Sequence, residues 1–218
     1  KAVGEVSAIT RRRLARDAFA HTAAYDSAIV EWFDDGGPGE QPPLPEHHAP
    51  LPRTLHLSAS LAQPLRYGEN PHQVGARYSF SGDSCWDRAT LHGGKEMSYL
   101  NVYDADAAWR LVHSLGDEPA AVIIKHANPC GAAVADDITT AYVRAHECDP
   151  TSAFGGIVAV NRPVTLDMAK ALAPVFTEVV IAPGYEDGAL MVLLEKRNLR
   201  VLTAPAPTVP ALDVRSVD

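Results

Sequence analysis

The first pattern of apolar positions in the chain has the spacing of one long helix. Between residues 7 and 33 a broad apolar stripe recurs at helical intervals, and the arginines at 11–13 and 16 form a polar face. The stripe comprises Leu14, Ala18, Phe19, Ala23, Ile29, Val30 and Phe33. Ser7 is a suitable N-cap because its side-chain oxygen can accept a backbone N–H of the first turn. The pattern predicts a helix over residues 7–33 whose stripe must dock on another surface.

A stretch rich in proline and glycine, residues 34–53, follows the helical pattern. Proline lacks a backbone N–H and glycine weakens both helix and strand, so this composition indicates a linker and a domain boundary. His47 and His48 lie inside it. A metal site needs further ligands at fixed distances, and none is nearby in the sequence, so we interpret this pair as linker residues.

From Thr54 onward, short apolar runs alternate with segments of helical periodicity. The predicted strands are 55–59, 76–80, 120–124, 157–160, 179–182 and 199–202, and the predicted helices are 101–115, 138–148, 165–172 and 186–197. Asp137 is the expected cap of the second helix, and the Pro-rich residues 204–210 are not expected to be packed. This alternation predicts crossover connections and a three-layer α/β domain over residues 54–218.

The strand over residues 120–124 leads directly into Lys125 and His126. Pro129 and Gly131 follow closely and are expected to stop regular structure there. In open α/β sheets ligands bind outside the carboxyl ends of strands, where a Lys-His pair can accept a proton and stabilise a developing charge. The alternative is a solvated lysine and a structural histidine at a strand end, and the spacing alone does not decide between them.

Two further loops carry candidate chemistry. Arg66 and Tyr67 lie in a polar loop predicted over residues 64–73, and a guanidinium beside a phenol suits a phosphate or a carboxylate. Phe154 and Gly155 precede a strand, and the missing side chain lets backbone N–H groups approach a ligand. A loop pinned by its own side chains and a simple tight turn are the respective structural alternatives.

Composition narrows the function classes. The net charge of −8 argues against a general nucleic-acid binder. No apolar run has membrane-spanning length, and three widely spaced cysteines suit a reducing cytoplasm. The pattern of a zinc deaminase is not met, because Ala133 stands where a second cysteine is needed, so no metal is expected. We expect the chain to be a fragment of a longer protein.

Four motifs occur in register with a known family. They are Leu65-Arg-Tyr-Gly-Glu-Asn-Pro-His-Gln73, Ile124-Lys-His-Ala-Asn-Pro-Cys-Gly131, Ser152-Ala-Phe-Gly-Gly156 and Ile181-Ala-Pro-Gly-Tyr185. Together they resemble the bifunctional purine-biosynthesis enzymes with AICAR transformylase and IMP cyclohydrolase activities. The predicted first helix, with Thr10-Arg-Arg-Arg-Leu14 and Ala20-His-Thr-Ala-Ala-Tyr25, is similar to the last helix of that family's cyclohydrolase domain. The resemblance therefore implies a helical remnant at 1–33, a linker at 34–53 and the first half of a transformylase domain at 54–218, with a cytidine-deaminase-like fold that lacks zinc.

The resemblance also implies roles for individual residues. Arg66 and Tyr67 would hold the phosphate of AICAR. The pocket for its imidazole carboxamide and ribose would be lined by Asn101, Phe154, Gly155 and Glu178. His126 would accept a proton from the 5-amino group, and Lys125 would stabilise the oxyanion or protonate the leaving nitrogen of 10-formyltetrahydrofolate. Because adjacent strand residues point to opposite faces, the strand must break at Lys125 for both to serve one site.

The family's second half, which supplies most folate contacts, lies outside this sequence, as do the cyclohydrolase catalytic residues. The family's transformylase site forms at a homodimer interface, so we expect this chain alone to be an inactive partial site. The rival hypothesis is a non-catalytic dimerisation half-domain or a proteolytic remnant whose Lys-His strand is only structural.

Overall fold

The computed structural model describes residues 4, 6–34, 54–80 and 83–208. The chain divides into two compact units, residues 1–59 and 60–218. In the first unit, helix α1 spans Ala8–Asp34 and has no buried residue. The Ser7 hydroxyl accepts the Thr10 backbone N–H at 3.1 Å, as the N-cap prediction requires. Most of the predicted linker, with His47 and His48, lies outside the described residues.

The second unit contains the other elements. Its strands are β1 (Ser60–Leu65), β2 (Gly75–Ser79), β3 (Thr90–Gly93), β4 (Ala120–Lys125), β5 (Asn128–Val134), β6 (Gly156–Val160), β7 (Thr177–Ala182) and β8 (Arg200–Thr203). Its helices are α2 (Tyr99–Ser114), α3 (Ile138–Cys148), α4 (Pro150–Ala153), α5 (Leu166–Leu172) and α6 (Ala189–Leu194).

Within the described residues, the strands form a small antiparallel pair, β1–β2, and a mixed six-stranded sheet with the order β3-β8-β7-β6-β4-β5. The centre of the larger sheet, β6, β7 and β8, is parallel, and helices α5 and α6 make the crossovers between these strands. On either side, β4 runs antiparallel to β6, and β3 runs antiparallel to β8. The prediction of an α/β protein is confirmed in this mixed form.

Both faces of the large sheet are covered. Ala121 and Ile123 of β4 point into a core shared with α3, α5 and α6, whereas Val122 and Ile124 point into a second core shared with α2. The strands β6 and β7 alternate in the same way between the two cores. Strands buried on both faces read as continuous apolar runs, which is why the sequence pattern identified β4, β6 and β7. The architecture is helix, sheet, helix.

The structure corrects several of the predicted elements. Residues 55–59 form no strand; the strand is Ser60–Leu65, part of which we expected to be loop. The edge strand β3 and the short helix α4 were not predicted, and α6 is shorter than residues 186–197. The start of the segment after β8 is packed, contrary to expectation, because Ala204 is 1% exposed and the Trp109 indole donates to the Pro205 carbonyl oxygen at 2.9 Å.

Helix caps account for the starts of the longer helices. Ser98 accepts the Asn101 N–H in front of α2, Asp137 accepts the Thr140 N–H in front of α3, and Thr165 accepts the Met168 N–H in front of α5.

None of the helices in the described part of the chain is long and apolar enough to cross a membrane.

Candidate functional site

The Lys-His pair lies at a tight hairpin between β4 and β5. Lys125 pairs with Asn128, so His126 and Ala127 alone form the turn. Both have a φ of 54°, the left-handed region that a two-residue type I′ turn requires at each central position. Such turns prefer Asn-Gly, and a left-handed residue other than glycine costs about 1–2 kcal/mol. The strand therefore breaks immediately after Lys125, one residue later than the sequence argument required, and the turn re-aims His126.

Two hydrogen bonds hold this turn. The Ala127 backbone N–H donates to Asp104 Oδ1 at 2.8 Å, which ties the turn to helix α2. The Asn128 side-chain amide donates to the His126 carbonyl oxygen at 2.8 Å. The imidazole of His126 belongs to an exposed residue, so it is accessible to a ligand.

The prediction that Pro129 and Gly131 end regular structure was wrong, because both lie within β5. This strand is at the edge of the sheet, where a proline can be accommodated because one side of the strand forms no ladder bonds. Gly131 faces helix α3, and a Cβ at this position would overlap the Ala145 carbonyl oxygen. Gly131 thus permits close packing of the hairpin against α3.

The carboxyl end of β4 lies beside the amino ends of its neighbours, because β4 and β6 are antiparallel. This arrangement brings Lys125 close to the loop in front of β6, and its Nζ donates to the Phe154 carbonyl oxygen at 3.0 Å. Gly155 has a φ of 76° and donates its N–H to the Phe176 carbonyl oxygen at 2.7 Å. Lys125, Phe154 and Gly155 are therefore neighbours, as the predicted site requires.

A second polar cluster lies at the amino ends of β7 and β8. The Asn101 side-chain amide donates to Glu178 Oε2 at 2.9 Å, and Arg200 Nη1 donates to the same oxygen at 3.3 Å. The Asn101 Oδ1 accepts from the backbone N–H and the hydroxyl of Ser98 at 3.2 and 3.0 Å. These bonds fix the orientation of the Asn101 amide, and they hold one carboxylate oxygen of Glu178.

Arg200 is 6% exposed, although it carries a charge. Its Nε and Nη2 both donate to the Glu96 carbonyl oxygen at 3.2 Å. The guanidinium therefore bonds both to this backbone oxygen and to the Glu178 carboxylate. Burial lowers the pKa of Arg200 below its ordinary value, the charge of Glu178 opposes this change, and the charge of Arg66 adds to it. The charges of Arg66 and Arg200 therefore interact, and the Glu178 carboxylate offsets part of the charge of Arg200.

Arg66 and Tyr67 leave the β1–β2 pair and attach to the segment before α2. The Arg66 N–H donates to the Met97 carbonyl oxygen, and the Tyr99 N–H donates to the Tyr67 carbonyl oxygen, each at 3.2 Å. The exposed Arg66 guanidinium lies 5.2 Å from the centroid of the Tyr67 ring. Gln73 holds the rest of the loop through hydrogen bonds with Gly68 and Asn70. This part of the loop therefore fits the alternative interpretation, a loop pinned by its own side chains.

The described contacts thus connect the predicted residues in three groups: Lys125 with Phe154 and Gly155, Asn101 with Glu178, and Arg66 with Tyr67. His126 is tied to α2 through the neighbouring Ala127. A cavity of about 150 Å³ lies elsewhere, beneath β2, where Gln63, Arg77 and Trp86 line it. Lys125, Gly155 and Glu178 lie at one end of the large sheet, where β4 ends and β6 and β7 begin.

Sequence reasoning missed Arg200 and Asp104. Arg200 is a charged residue that opens an apolar strand, and this mismatch was the available signal. Asp104 follows Asn101 by three positions on α2, and residues at this spacing share a helix face. Neither signal identifies a partner without the tertiary structure.

The fold is that of a mixed-sheet α/β protein, with the candidate polar residues at the ends of its strands. The sequence matches the family described as "AICARFT/IMPCHase bienzyme" over residues 1–218. The chain belongs to this family, which confirms the family assigned from the four motifs.

Several bacterial proteins named "Bifunctional purine biosynthesis protein PurH" are similar to the chain. The protein from Cutibacterium acnes is 45% identical over 210 residues, which cover 95% of this chain and 39% of that protein. The relative from Dinoroseobacter shibae is 48% identical over 213 residues, covering 95% and 38%. The relative from Corynebacterium glutamicum is 43% identical over 215 residues, covering 98% and 40%. The chain therefore spans about two fifths of the length of these relatives.

Among solved structures, "Acinetobacter baumannii RibD, form 1" matches with a TM-score of 0.35 and 17% sequence identity. The match covers 45% of this chain and 34% of the RibD chain. This likeness is too weak to support a statement about the fold.

Proposed function

We propose that this chain carries the AICAR-binding half-site and the catalytic Lys-His pair of an AICAR transformylase. The reaction would transfer the formyl group of 10-formyltetrahydrofolate to the 5-amino group of AICAR, giving FAICAR. The intact enzyme would also close FAICAR to IMP. The observation that carries the proposal is that Lys125 ends β4 beside the loop of Phe154 and Gly155, and that His126 follows it directly in the turn.

The phosphate of AICAR would bind Arg66 and Tyr67. The Arg66 guanidinium is exposed, and the fixed charge of Arg200 lies near enough to influence it. A dianionic phosphate favours such a pair of cations, and the guanidinium fork matches phosphate oxygens geometrically. This local charge explains how a chain with a net charge of −8 would hold an anionic substrate.

The ribose and the imidazole carboxamide would lie against Asn101, Phe154, Gly155 and Glu178. Asn101 and Arg200 both bond to Oε2 of Glu178, so we assign Oε1 to the ribose hydroxyl groups. The exposed Phe154 ring, 60% accessible, offers an apolar face for the heterocycle.

The 5-amino group of AICAR is a weak nucleophile, since its lone pair is delocalised toward the carboxamide. It must lose a proton as the tetrahedral oxyanion forms at the formyl carbon. His126 would accept that proton, since histidine is the side chain that most often acts as a general base in enzymes. Lys125 would leave the Phe154 carbonyl oxygen and stabilise the oxyanion or protonate the leaving folate nitrogen.

The intact enzyme is the protein at the full length of its relatives. The part outside this chain would supply most folate contacts and the cyclohydrolase site, and a homodimer would complete the transformylase site. We propose a cytoplasmic location, which the three free cysteines suit. This chain alone would be inactive.

The test is the rate of formyl transfer by the intact enzyme with His126→Ala. We expect a loss of about 10²–10⁴, the usual contribution of a positioned base. His21→Ala is the matched control, because His21 is an exposed histidine on α1, and its rate should be unchanged. A loss of less than tenfold in His126→Ala would overturn the catalytic assignment and favour the non-catalytic module.

A further inference from the structure

Asp104 is a side chain that no predicted role includes, and it bonds to the turn that carries His126. Its Oδ1 accepts the Ala127 backbone N–H at 2.8 Å across 23 positions of sequence. The residue is partly buried on α2, one turn after Asn101. The contact therefore joins the helix that positions Glu178 to the hairpin that presents His126.

The turn needs such a contact because its sequence is unsuited to its shape. Both His126 and Ala127 have a φ of 54°, a region that glycine enters freely and alanine avoids. A hydrogen bond from a backbone amide to a carboxylate is stronger than one to a neutral acceptor. The carboxylate accepts the backbone N–H of Ala127, which lies at the turn position that glycine usually occupies. The Asn128 amide supports the other side of the turn through the His126 carbonyl oxygen.

We propose that Asp104 is a positioning residue of the transformylase site, which holds the His126-Ala127 turn in its left-handed conformation and so aims the His126 imidazole at the substrate. Asp104 acts through the backbone of Ala127 and touches no reacting atom. The proposal rests on the proposed function, because it assumes that His126 takes part in formyl transfer.

The decisive experiment is a set of variants in the intact enzyme, with kcat and KM for AICAR measured separately. Asp104→Ala should lower kcat at least tenfold and change KM less than threefold, because the phosphate and ribose contacts lie on other residues. Asp104→Asn keeps a side-chain oxygen acceptor and should retain kcat within about threefold. Ala127→Gly added to Asp104→Ala should recover most of the lost kcat, since glycine adopts a positive φ without a tether.

A second measurement uses the 218-residue chain and needs no activity. The exchange rate of the Ala127 amide hydrogen, followed by NMR, should rise at least tenfold in Asp104→Ala and stay close to wild type in Asp104→Asn. Asp106→Ala is the matched control, because Asp106 is also a hydrogen-bonded carboxylate on α2, with Trp86 and Arg110 as its partners. It should leave the Ala127 exchange rate and kcat within twofold.

The outcomes separate the two proposals. If His126→Ala abolishes formyl transfer and Asp104→Ala is silent, the positioning role is wrong and the proposed function stands. If Ala127→Gly gives no recovery in Asp104→Ala, Asp104 does not act through the turn, and the inference is also wrong. If neither His126→Ala nor Lys125→Ala affects formyl transfer, the proposed function fails, whatever the amide exchange shows.

Discussion

Asp87 illustrates how a single residue can connect two segments of the chain. Its carboxylate accepts hydrogen bonds from Arg77 Nη1 and Ser79 Oγ, each at 2.6 Å, and from Ser84 Oγ at 2.8 Å. The side chain is 11% exposed, so solvent screens these bonds only weakly. The bonds from Ser79, Arg77 and Ser84, in that order, hold the pKa of Asp87 far below its ordinary value. One carboxylate thereby joins β2 to the loop before β3.

This shift predicts how stability depends on pH. Because the folded pKa is below the unfolded one, the contribution of Asp87 is present above the unfolded pKa of about 3.8 and is lost as the pH falls below it. Asp87→Asn should be less stable than wild type at pH 7, and the gap should narrow below pH 4. Unfolding in urea at a series of pH values measures this gap.

The control for that series is Asp167→Asn, since Asp167 is 83% exposed in a weak surface pair with Lys170. Its stability gap should be small at every pH. A gap for Asp87→Asn that keeps the same size from pH 7 to pH 3 would contradict the role of the Asp87 charge.

At the scale of elements, the β4–β5 hairpin depends on its packing against α3. A Cβ at Gly131 would overlap the Ala145 carbonyl oxygen and press on Cys148, and backbone atoms of a helix cannot yield as a flexible side chain does. Gly131→Ala should therefore destabilise the protein by about 1–3 kcal/mol, the usual cost of overpacking. The free energy of unfolding, from denaturant titration, checks this value.

Gly184→Ala is the matched substitution, because nothing lies within 4 Å of its Cβ position. Its free energy of unfolding should differ from wild type by no more than about 0.5 kcal/mol. If Gly131→Ala is equally well tolerated, the hairpin does not depend on contact with α3 at this position.

For the whole molecule, the division of the core predicts what is needed for folding. Every buried hydrophobic residue among those described lies between Cys85 and Ala204, whereas α1 has none. The apolar burial that drives folding therefore belongs to residues 60–208. Deleting residues 1–53 should leave the midpoint of the cooperative unfolding transition within about 2 °C, no more than the shift of about 2–4 °C that about 1 kcal/mol produces in a domain of this size. Differential scanning calorimetry of both chains checks this, and a shift above 5 °C would contradict it.

Much of the fold could be predicted because periodicity reports burial along a segment. Strands β4, β6 and β7 are apolar at each position that faces a core. The caps Asp137 and Thr165 mark the starts of α3 and α5. Strand β3 escaped detection because an edge strand has few buried positions, and its pattern is mostly exposed. Strand β5 escaped because Pro129 and Gly131 obey the constraints of an edge rather than those of a loop.

The sequence by itself determined the α/β class, most helix and strand positions, the family and the candidate residues, because these depend on local patterns and short motifs. The tertiary structure alone decided the strand order, the antiparallel direction of β4, and the partners of Glu178 and Ala127. Pairing across a sheet depends on the packing of segments far apart in sequence. The His126-Ala127 turn shows the physical reason, since a bond from Asp104 accompanies a conformation that the turn's own residues disfavour.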